Sequence, residues 1–236
     1  MQRLFLPLIN NENTVVITNS SPIYNQLTKV LRCKLSDEII FFDWKKNLDL
    51  IYKIESITKQ SIAFKLQKTV EKLDNSKINI NLYQSIPNKQ EKIEYIIQKW
   101  VEVWYNSFCF FKSERSQNLK INENKIDRFK KIITEAVEQS GRNVLPELHF
   151  LEKIDLKSTK WQNIYFHTDK NKAKKLKELN IKEWKINIFI WPEWGFSDNE
   201  IDIFDKTWFQ KVNLWDSILR TETAWIVVWF YLLENI

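Results

Sequence analysis

The chain has 236 residues, 44% of them hydrophobic, and a formal net charge of +6. That hydrophobic content excludes a disordered chain and can bury one large core or two small ones, while the basic excess favours a polyanionic partner such as nucleic acid. The two cysteines lie far apart without CxxC spacing, which excludes a disulfide framework and gives no zinc site.

The sequence has no features of a membrane or secretory protein. The N-terminal text MQRLFLPLIN lacks the long apolar core of a signal peptide. The longest apolar run, residues 224–233, is shorter than a helix that spans a bilayer. We therefore expect a soluble cytoplasmic protein with a buried helix at 224–233 and with neither a membrane nor a metal partner.

Short strand patterns fill residues 1–72. The segments NTVVITN, DEIIFFD, LIYKIESITK and SIAFKLQKTV alternate apolar and polar residues, as half-buried strands do. One amphipathic helix interrupts them, with Ser21 as its predicted N-cap and Pro22 in its first turn. We predict a small β-barrel-like module here, followed by a charged linker, EKLDNSK.

Strands and helices alternate over residues 73–236. The predicted strands include SFCFF, NIYFHTD, KINIFI and KVNL. The predicted helices include KQEKIEYIIQKWVEVW, residues 125–140, a lysine-rich segment (DKNKAKKLKELNIKEWK) and a helix capped by Ser197 with Glu200 in a capping box. This order predicts an α/β domain with a mostly parallel sheet, whose ligand lies in the loops after KINIFI and KVNL.

Glycine is scarce and tryptophan abundant, with 2 and 11 residues respectively. Tryptophan occupies turns and helix ends that normally need glycine, at Trp44, Trp191, Trp194, Trp208 and Trp215. Our hypothesis is that these tryptophans are UGA codons that the source organism reads as glycine. The helical spacing of two pairs leaves a core role open for Trp100, Trp104, Trp225 and Trp229.

The two candidate ligand loops read WPEWG and WDSILRTETA. With glycine in place of tryptophan, the first loop would let a ligand approach the backbone closely. In the second loop, Arg220 precedes a helix N-terminus, which suits a carboxylate or a phosphate. Neither loop has the spacing of a P-loop or a dinucleotide fingerprint.

Seven segments in order along the whole chain resemble one family. They are RLFLP (3–7), KVLR (29–32), IQKWVEVW (97–104), SERS (113–116), EAVEQSGR (135–142), IWPEWGFSDNEI (190–201) and LWDSILRTETA (214–224). Together they resemble the RsmE-type 16S rRNA (uracil-N3)-methyltransferases of the SPOUT superfamily. Most departures are tryptophan where the family has glycine, at 44, 104, 191, 194, 208 and 215, and Ser36 also replaces a family glycine.

The resemblance implies a PUA-like RNA-binding β-barrel over residues 1–72. It implies a SPOUT α/β domain with a C-terminal trefoil knot over residues 73–236. It also implies a homodimer that binds S-adenosylmethionine and acts on 16S rRNA or the small ribosomal subunit. The open alternatives are a related methyltransferase with another RNA target, and a non-catalytic RNA-binding protein if the loop tryptophans are genuine.

The same resemblance assigns roles to individual residues. The cofactor-binding residues it implies are Phe166, His167, Ile190, Trp191, Glu193, Trp194, Gly195, Leu214, Trp215, Ile218, Leu219 and Arg220. Because the proton on uracil N3 must leave, we expect Arg220 to stabilise the anion and Glu222, or less favourably Glu193, to act as the base. RNA contacts are predicted for Arg3, Arg32, Arg115 and Arg142, although surface ion pairs would also explain the last two.

Overall fold

The computed structural model describes residues 2–7, 9, 12–43, 47–72, 79–117, 119–155, 159–167, 173–181, 185–214 and 217–235. The chain divides into two compact units. The first comprises Met1–Asn75 and Val137–Leu145, and the second comprises Ser76–Ala136 and Pro146–Ile236. The predicted linker, EKLDNSK, lies mostly outside the described residues.

The first unit is built on a mixed five-stranded sheet. Its strands are β1 (Gln2–Phe5), β2 (Thr14–Thr18), β3 (Glu38–Asp43), β4 (Leu48–Ile57) and β5 (Ser61–Glu71). They lie in the order β1-β3-β4-β5-β2, in which β1 is parallel to β3 and the other pairs are antiparallel. The pairing of β4 with β5 shifts register twice, after Ile51 and after Ile54.

Alternation along these strands builds the core of the first unit. Phe41, Tyr52 and Phe64 are fully buried, and the ring of Phe41 packs against both other rings. Leu27 joins this core from the helix α1 (Pro22–Asn25), which continues as a π-helical segment, Gln26–Val30. The Ser21 hydroxyl accepts a hydrogen bond from the Ile23 amide at 3.3 Å, so the predicted N-cap is confirmed.

The second unit contains a seven-stranded parallel sheet in the order β10-β12-β9-β11-β6-β7-β8. Its strands are β6 (Asn79–Ser85), β7 (Ser107–Phe111), β8 (Glu147–Leu151), β9 (Gln162–Phe166), β10 (Lys174–Lys175), β11 (Lys185–Ile190) and β12 (Gln210–Asn213). The central strand β11 is buried from Ile186 to Ile190, as expected for a parallel strand covered on both faces. The predicted parallel α/β sheet is therefore confirmed.

Four helices accompany this sheet: α2 (Gln90–Glu102), α3 (Glu123–Ser140), α4 (Asp198–Lys206) and α5 (Thr221–Asn235). The last residues of α3, from Val137, are grouped with the first unit. The predicted capping box of α4 is present, because the Ser197 hydroxyl accepts from the Glu200 amide at 3.0 Å and the Glu200 carboxylate accepts from the Ser197 amide at 2.8 Å.

Two sequence predictions for this unit need correction. The lysine-rich segment is not one helix, since its described part forms β10 and a 3-10 turn, Leu176–Glu178. The backbone of Lys174 and Lys175 pairs with strand β12, and the helical pattern of the segment does not predict this pairing. Helix α5 buries Trp225 fully but exposes 62% of Phe230, so the apolar run is buried on one face only.

Each helix in the described residues is shorter or less apolar than a membrane span requires.

Candidate active site

A cleft of about 450 Å³ lies beside the carboxyl end of β11 in the second unit. The segment that follows β11 and the segment that leads into α5 form its walls, and the first turn of α2 contributes one residue. The lining residues are Lys92, Trp191, Glu193, Trp194, Gly195, Ile218, Leu219, Arg220, Thr221 and Glu222. The two loops chosen from the sequence therefore meet in a single cleft.

Buried hydrogen bonds hold the two loops together. The Gln84 side-chain amide donates to the Thr221 hydroxyl at 2.7 Å, and that hydroxyl donates to the Trp191 carbonyl at 2.7 Å. Gln84 and Thr221 are 0% and 2% exposed. Because an unpaired polar group would be costly at such depth, this relay from β6 to α5 fixes the start of the loop at Trp191.

The loop after β11 makes a tight turn. The Gly195 amide donates to the Pro192 carbonyl at 2.9 Å, and Gly195 has the left-handed φ of +73°. Trp191 and Trp194, both among the described residues, are absent from the positions with positive φ. The expectation that these two tryptophans are themselves in glycine conformations is therefore wrong, because Gly195 supplies the left-handed residue of the turn.

The two indoles of this loop have different surroundings. Trp191 is 5% exposed, and its ring lies 6.5 Å from that of Phe166 in an edge-to-face arrangement. Trp194 is 73% exposed at the mouth of the cleft. The indole of Trp191 thus fills space beside β9 that a glycine would leave open to a ligand.

Two carboxylates and one ammonium group meet inside the cleft. The Lys92 Nζ lies 2.8 Å from Oε1 of Glu193 and 3.6 Å from Oε2 of Glu222. The Asn88 amide also donates to the Glu193 carboxylate, at 3.1 Å. Burial alone would raise the pKa of Glu193, but the hydrogen bonds from Lys92 and Asn88 outweigh it and lower that pKa below its ordinary value.

Arg220 brings a positive charge to the same cleft. Its carbonyl accepts from the Thr223 and Ala224 amides at 2.9 and 3.0 Å, so Arg220 stands at the N-terminus of α5. Its side chain is exposed, and within the described part of the chain no carboxylate pairs with it. The guanidinium is therefore available to an anion rather than held in a structural ion pair.

The structure places several predicted cofactor residues behind the lining rather than in it. Phe166 and Ile190 are buried at the ends of β9 and β11, and Leu214 is buried just after β12. The His167 carbonyl accepts from the Asn213 side chain at 3.1 Å, which joins β9 to β12. Trp215 lies outside the described residues.

The predicted RNA-contacting arginines have unequal positions. Arg3 pairs with the buried Asp49 at 3.1 Å, donates to the Val137 carbonyl and to Asn143, and lies 3.5 Å from the Phe42 ring centre. Arg142 is 2% exposed. Guanidinium groups enclosed in this way are not presented to a phosphate, so we reinterpret Arg3 and Arg142 as structural residues of the first unit.

Arg115 and Arg32 remain accessible. Arg115 donates to the carbonyls of Trp194 and Phe196 at 3.3 and 3.1 Å, and so supports the cleft loop in addition to any contact with RNA. Arg32 is exposed in the first unit, with a φ of +52°. Of the four arginines, Arg32 is the one whose position fits a direct phosphate contact best.

Three other tryptophans do have glycine-like backbones. Trp104, Trp161 and Trp208 have φ values of +66°, +74° and +63°. Ser36, another predicted glycine position, has a φ of +75°. The glycine assignment of Trp104 and Trp208 thus agrees with their conformation, Trp161 is an additional case, and Trp44 lies outside the described residues.

Sequence reasoning missed two residues of the cleft, Lys92 and Thr221. Both stand in the first turn of a helix that follows a strand. Lys92 is distant in sequence from the loop at 191–195, whereas Thr221 lies within the second candidate loop and was assigned no role. The sequence offered one indication of a role for Lys92. It lies in the first turn of a helix, where the helix dipole disfavours a cation, so a lysine there suggests a reason other than helix stability. Within the described residues, no group of three histidine, cysteine or acidic side chains could hold a metal ion.

Comparisons with known proteins identify relatives over most of the chain. A family model described as an RNA methyltransferase domain matches residues 74–232. The ribosomal RNA small subunit methyltransferase E of Buchnera aphidicola (subsp. Acyrthosiphon pisum) is 34% identical, over 85% of this chain and 81% of that protein. The homologue of the same name in Borreliella burgdorferi, numbered 2, is 29% identical over 89% of this chain and 87% of its own length.

Two solved structures have the same fold. The ribosomal RNA small subunit methyltransferase E of Neisseria gonorrhoeae, bound to S-adenosyl methionine, is 26% identical with a TM-score of 0.82 and covers 100% of this chain and 97% of its own. A methyltransferase of Legionella pneumophila with bound SAM is 25% identical with a TM-score of 0.85, covering 98% and 96%. The chain therefore belongs to the RNA methyltransferase family, together with the ribosomal RNA small subunit methyltransferase E proteins.

Proposed function

We propose that the protein transfers the methyl group of S-adenosylmethionine to N3 of a uridine in the 16S rRNA of the small ribosomal subunit. The observation that carries the proposal is the cleft beside β11, in which the segments 191–195 and 218–222 meet. Family membership supports the reaction class, and the names of the full-length relatives support a small-subunit rRNA target. Two similar structures hold the same cofactor.

The residues of the cleft suit this cofactor. Ile218 and Leu219 offer apolar walls for an adenine ring, and the volume of about 450 Å³ is in the range of small-molecule sites. Glu193 and Glu222 bring two carboxylates to the cleft, which would attract the positively charged sulfonium and ammonium groups of the cofactor. Oε2 of Glu222 is buried, has no hydrogen bond within the described residues and lies 3.6 Å from the Lys92 ammonium group.

S-adenosylmethionine, when bound, supplies an electrophilic methyl group. The protein must then align the uridine and remove its N3 proton, and both tasks need positioned side chains rather than covalent chemistry. We assign Arg220 to stabilise the negative charge on uracil, since its guanidinium is free and lies at the helix N-terminus. We assign Glu222 as the proton acceptor because it lines the same cleft as Arg220.

We further propose that the second unit contains the trefoil knot and that the first is a PUA-like barrel that helps to hold RNA. Exposed Arg32 would contribute a phosphate contact from the first unit. An rRNA substrate, whether free or in the small subunit, implies work in the cytoplasm. These assignments rest on the family resemblance.

A homodimer also belongs to this proposal. Helix α5 exposes Ile226 and Phe230 to 36% and 62%, and α2 exposes Tyr95 to 44%. Large apolar side chains exposed on a helix are typical of a protein interface. We assign these exposed side chains of the second unit to contacts with a second copy.

The test uses the purified protein with radiolabelled S-adenosylmethionine and either 16S rRNA or small subunits that lack the modification. We expect 3-methyluridine as the product when the RNA is digested to nucleosides and analysed by mass spectrometry. Methylation of another RNA instead would correct the target. A protein with Trp191→Gly and Trp194→Gly that fails to bind the cofactor in calorimetry would refute the methyltransferase function altogether.

A further inference from the structure

Arg115 reaches the loop after β11 from a different part of the sheet. It follows β7, and its Nη1 donates to the carbonyls of Trp194 and Phe196 at 3.3 and 3.1 Å. These two carbonyls flank Gly195, whose left-handed φ belongs to the turn of the loop. Because both acceptors are main-chain atoms, the contact does not depend on whether tryptophan or glycine stands at 194.

The turn that carries Arg115 is fixed by its own hydrogen bonds. The hydroxyls of Ser85 and Ser113 are hydrogen-bonded at 2.5 Å in a buried position, which ties the turn to the end of β6. The Ser113 amide donates to the Ser116 hydroxyl at 3.1 Å, and that hydroxyl donates to the Ser113 carbonyl at 2.8 Å. Since buried hydrogen bonds are costly to leave unmade, Arg115 projects from a rigid support.

The guanidinium of Arg115 has donors left over. Arginine carries five N–H groups in a planar fork, and Nη1 alone makes the two bonds to the loop. In the described residues, the Nε and Nη2 atoms make no hydrogen bond, and the residue is exposed. The neighbouring Glu114 carboxylate accepts from the Asn199 side chain at 2.6 Å. A phosphate can therefore bind the fork while Nη1 keeps the loop.

A second cavity gives an RNA strand room beside Arg115. It has a volume of about 470 Å³, and its lining includes Glu114 and Ser116, the two chain neighbours of Arg115. Arg115 is not among the described lining residues of either cavity, but it bonds to Trp194 of the cleft. The ends of β11 and β7 are two strands apart in the parallel sheet, or about 10 Å. A strand with one base in the cleft can thus run past Arg115.

We propose that Arg115 is a positioning residue that couples the two substrates, because one guanidinium holds the cofactor loop and a phosphate of the RNA beside the target uridine. The inference rests on the proposed function. An exposed arginine has much rotamer freedom to lose, and ordering of the loop by the cofactor and binding of the fork by RNA each remove part of it. The second substrate then meets less of this cost, so each should tighten the other by the same factor.

The test measures the Kd for radiolabelled S-adenosylhomocysteine, which has no methyl group to transfer. Equilibrium dialysis is done with and without small ribosomal subunits that lack the modification. The reference protein carries Trp191→Gly and Trp194→Gly, and Arg115→Met, Arg115→Lys and Arg128→Met are each made in it. Arg128 is the matched control, since it is an exposed arginine that pairs with Glu94 at 2.6 Å on α2.

We expect the subunits to lower the Kd of the reference protein by about tenfold. Arg115→Met should raise the Kd without subunits by about tenfold, because the loop loses its hydrogen bonds, and should abolish the effect of the subunits. Arg115→Lys keeps the charge and so should keep the salt dependence of subunit binding, but it lacks the fork and should not restore the coupling. Arg128→Met should match the reference protein.

The outcomes separate this inference from the proposed function. If the reference protein methylates uridine N3 but its Kd does not respond to the subunits, the coupling is overturned alone. The same holds if the response persists in Arg115→Met, and full coupling in Arg115→Lys would overturn the shared fork. A reference protein that binds no S-adenosylmethionine, or that methylates no uridine N3, would overturn the proposed function and this inference together.

Discussion

Replacing Trp208 with glycine should stabilise the protein. Trp208 follows the C-cap of α4 at a φ of +63°, and its side chain is 93% exposed. A left-handed conformation costs a residue with a Cβ about 1–2 kcal/mol, a cost that glycine does not have. Almost no burial is lost with the indole, because the side chain is already in solvent.

The net gain in stability is smaller than the strain that is relieved. Glycine has more conformational entropy in the unfolded chain, and its loss on folding costs about 0.5–1 kcal/mol. We therefore expect the free energy of unfolding to rise by about 1 kcal/mol, and the Tm to rise by about 2–4 °C. Urea unfolding followed by circular dichroism measures the first quantity and thermal unfolding the second. If the cell reads this codon as glycine, the variant is also the natural form.

Trp194→Gly is the matched control. Trp194 is also largely exposed, at 73%, but it lacks a positive φ, so glycine relieves no strain there. Its free energy of unfolding should stay the same or fall by about 0.5–1 kcal/mol. Equal effects of the two substitutions, or a loss of stability in Trp208→Gly, would refute the reasoning.

Four further predictions address the site, the core and the assembly. Arg220→Ala should lower single-turnover methyl transfer by about 10²–10³-fold with modest loss of cofactor affinity, and unchanged turnover would remove Arg220 from its role. Arg3→Met leaves the carboxylate of Asp49 buried with only Lys72 at 3.6 Å among the described cations, so urea unfolding should show a loss of about 3 kcal/mol. Burial raises the pKa of Cys109 to about 12, so a thiol reagent at pH 8 should label it only after unfolding. Because the folded pKa exceeds the ordinary 9.0, the contribution of Cys109 to the free energy of unfolding should be complete below about pH 9 and should be lost as the pH rises toward 12. Phe230→Glu should convert the proposed dimer to monomer in sedimentation velocity, and an unchanged mass would exclude α5 from the interface.

Much of the fold follows from local patterns in the sequence. The apolar text KINIFI predicts the buried central strand β11, and Ser197 with Glu200 predicts the start of α4, because both signals lie within one element. The lysine-rich segment was misread because its periodicity fits a helix, whereas pairing with β12 decides its structure. Strand pairing is a long-range property that the segment alone does not encode.

The candidate site was predictable in its loops but not in its charges. The loops follow strand ends, which is where parallel sheets bind ligands, and both line the cleft. Lys92 was missed because its partners, Glu193 and Glu222, are distant in sequence. The burial of Arg3 was missed for the same reason, since Asp49 lies 46 residues away.

The relay from Gln84 through Thr221 to Trp191 has a consequence for biosynthesis. Its two members Gln84 and Thr221 are 137 residues apart, so the relay cannot close until the ribosome has released most of the second unit. Contacts of such long sequence separation also form slowly, because a large loop must be ordered first. The first unit is complete in sequence at Leu145, whereas the cleft needs Thr221, so a nascent chain can fold its first unit well before the cleft forms.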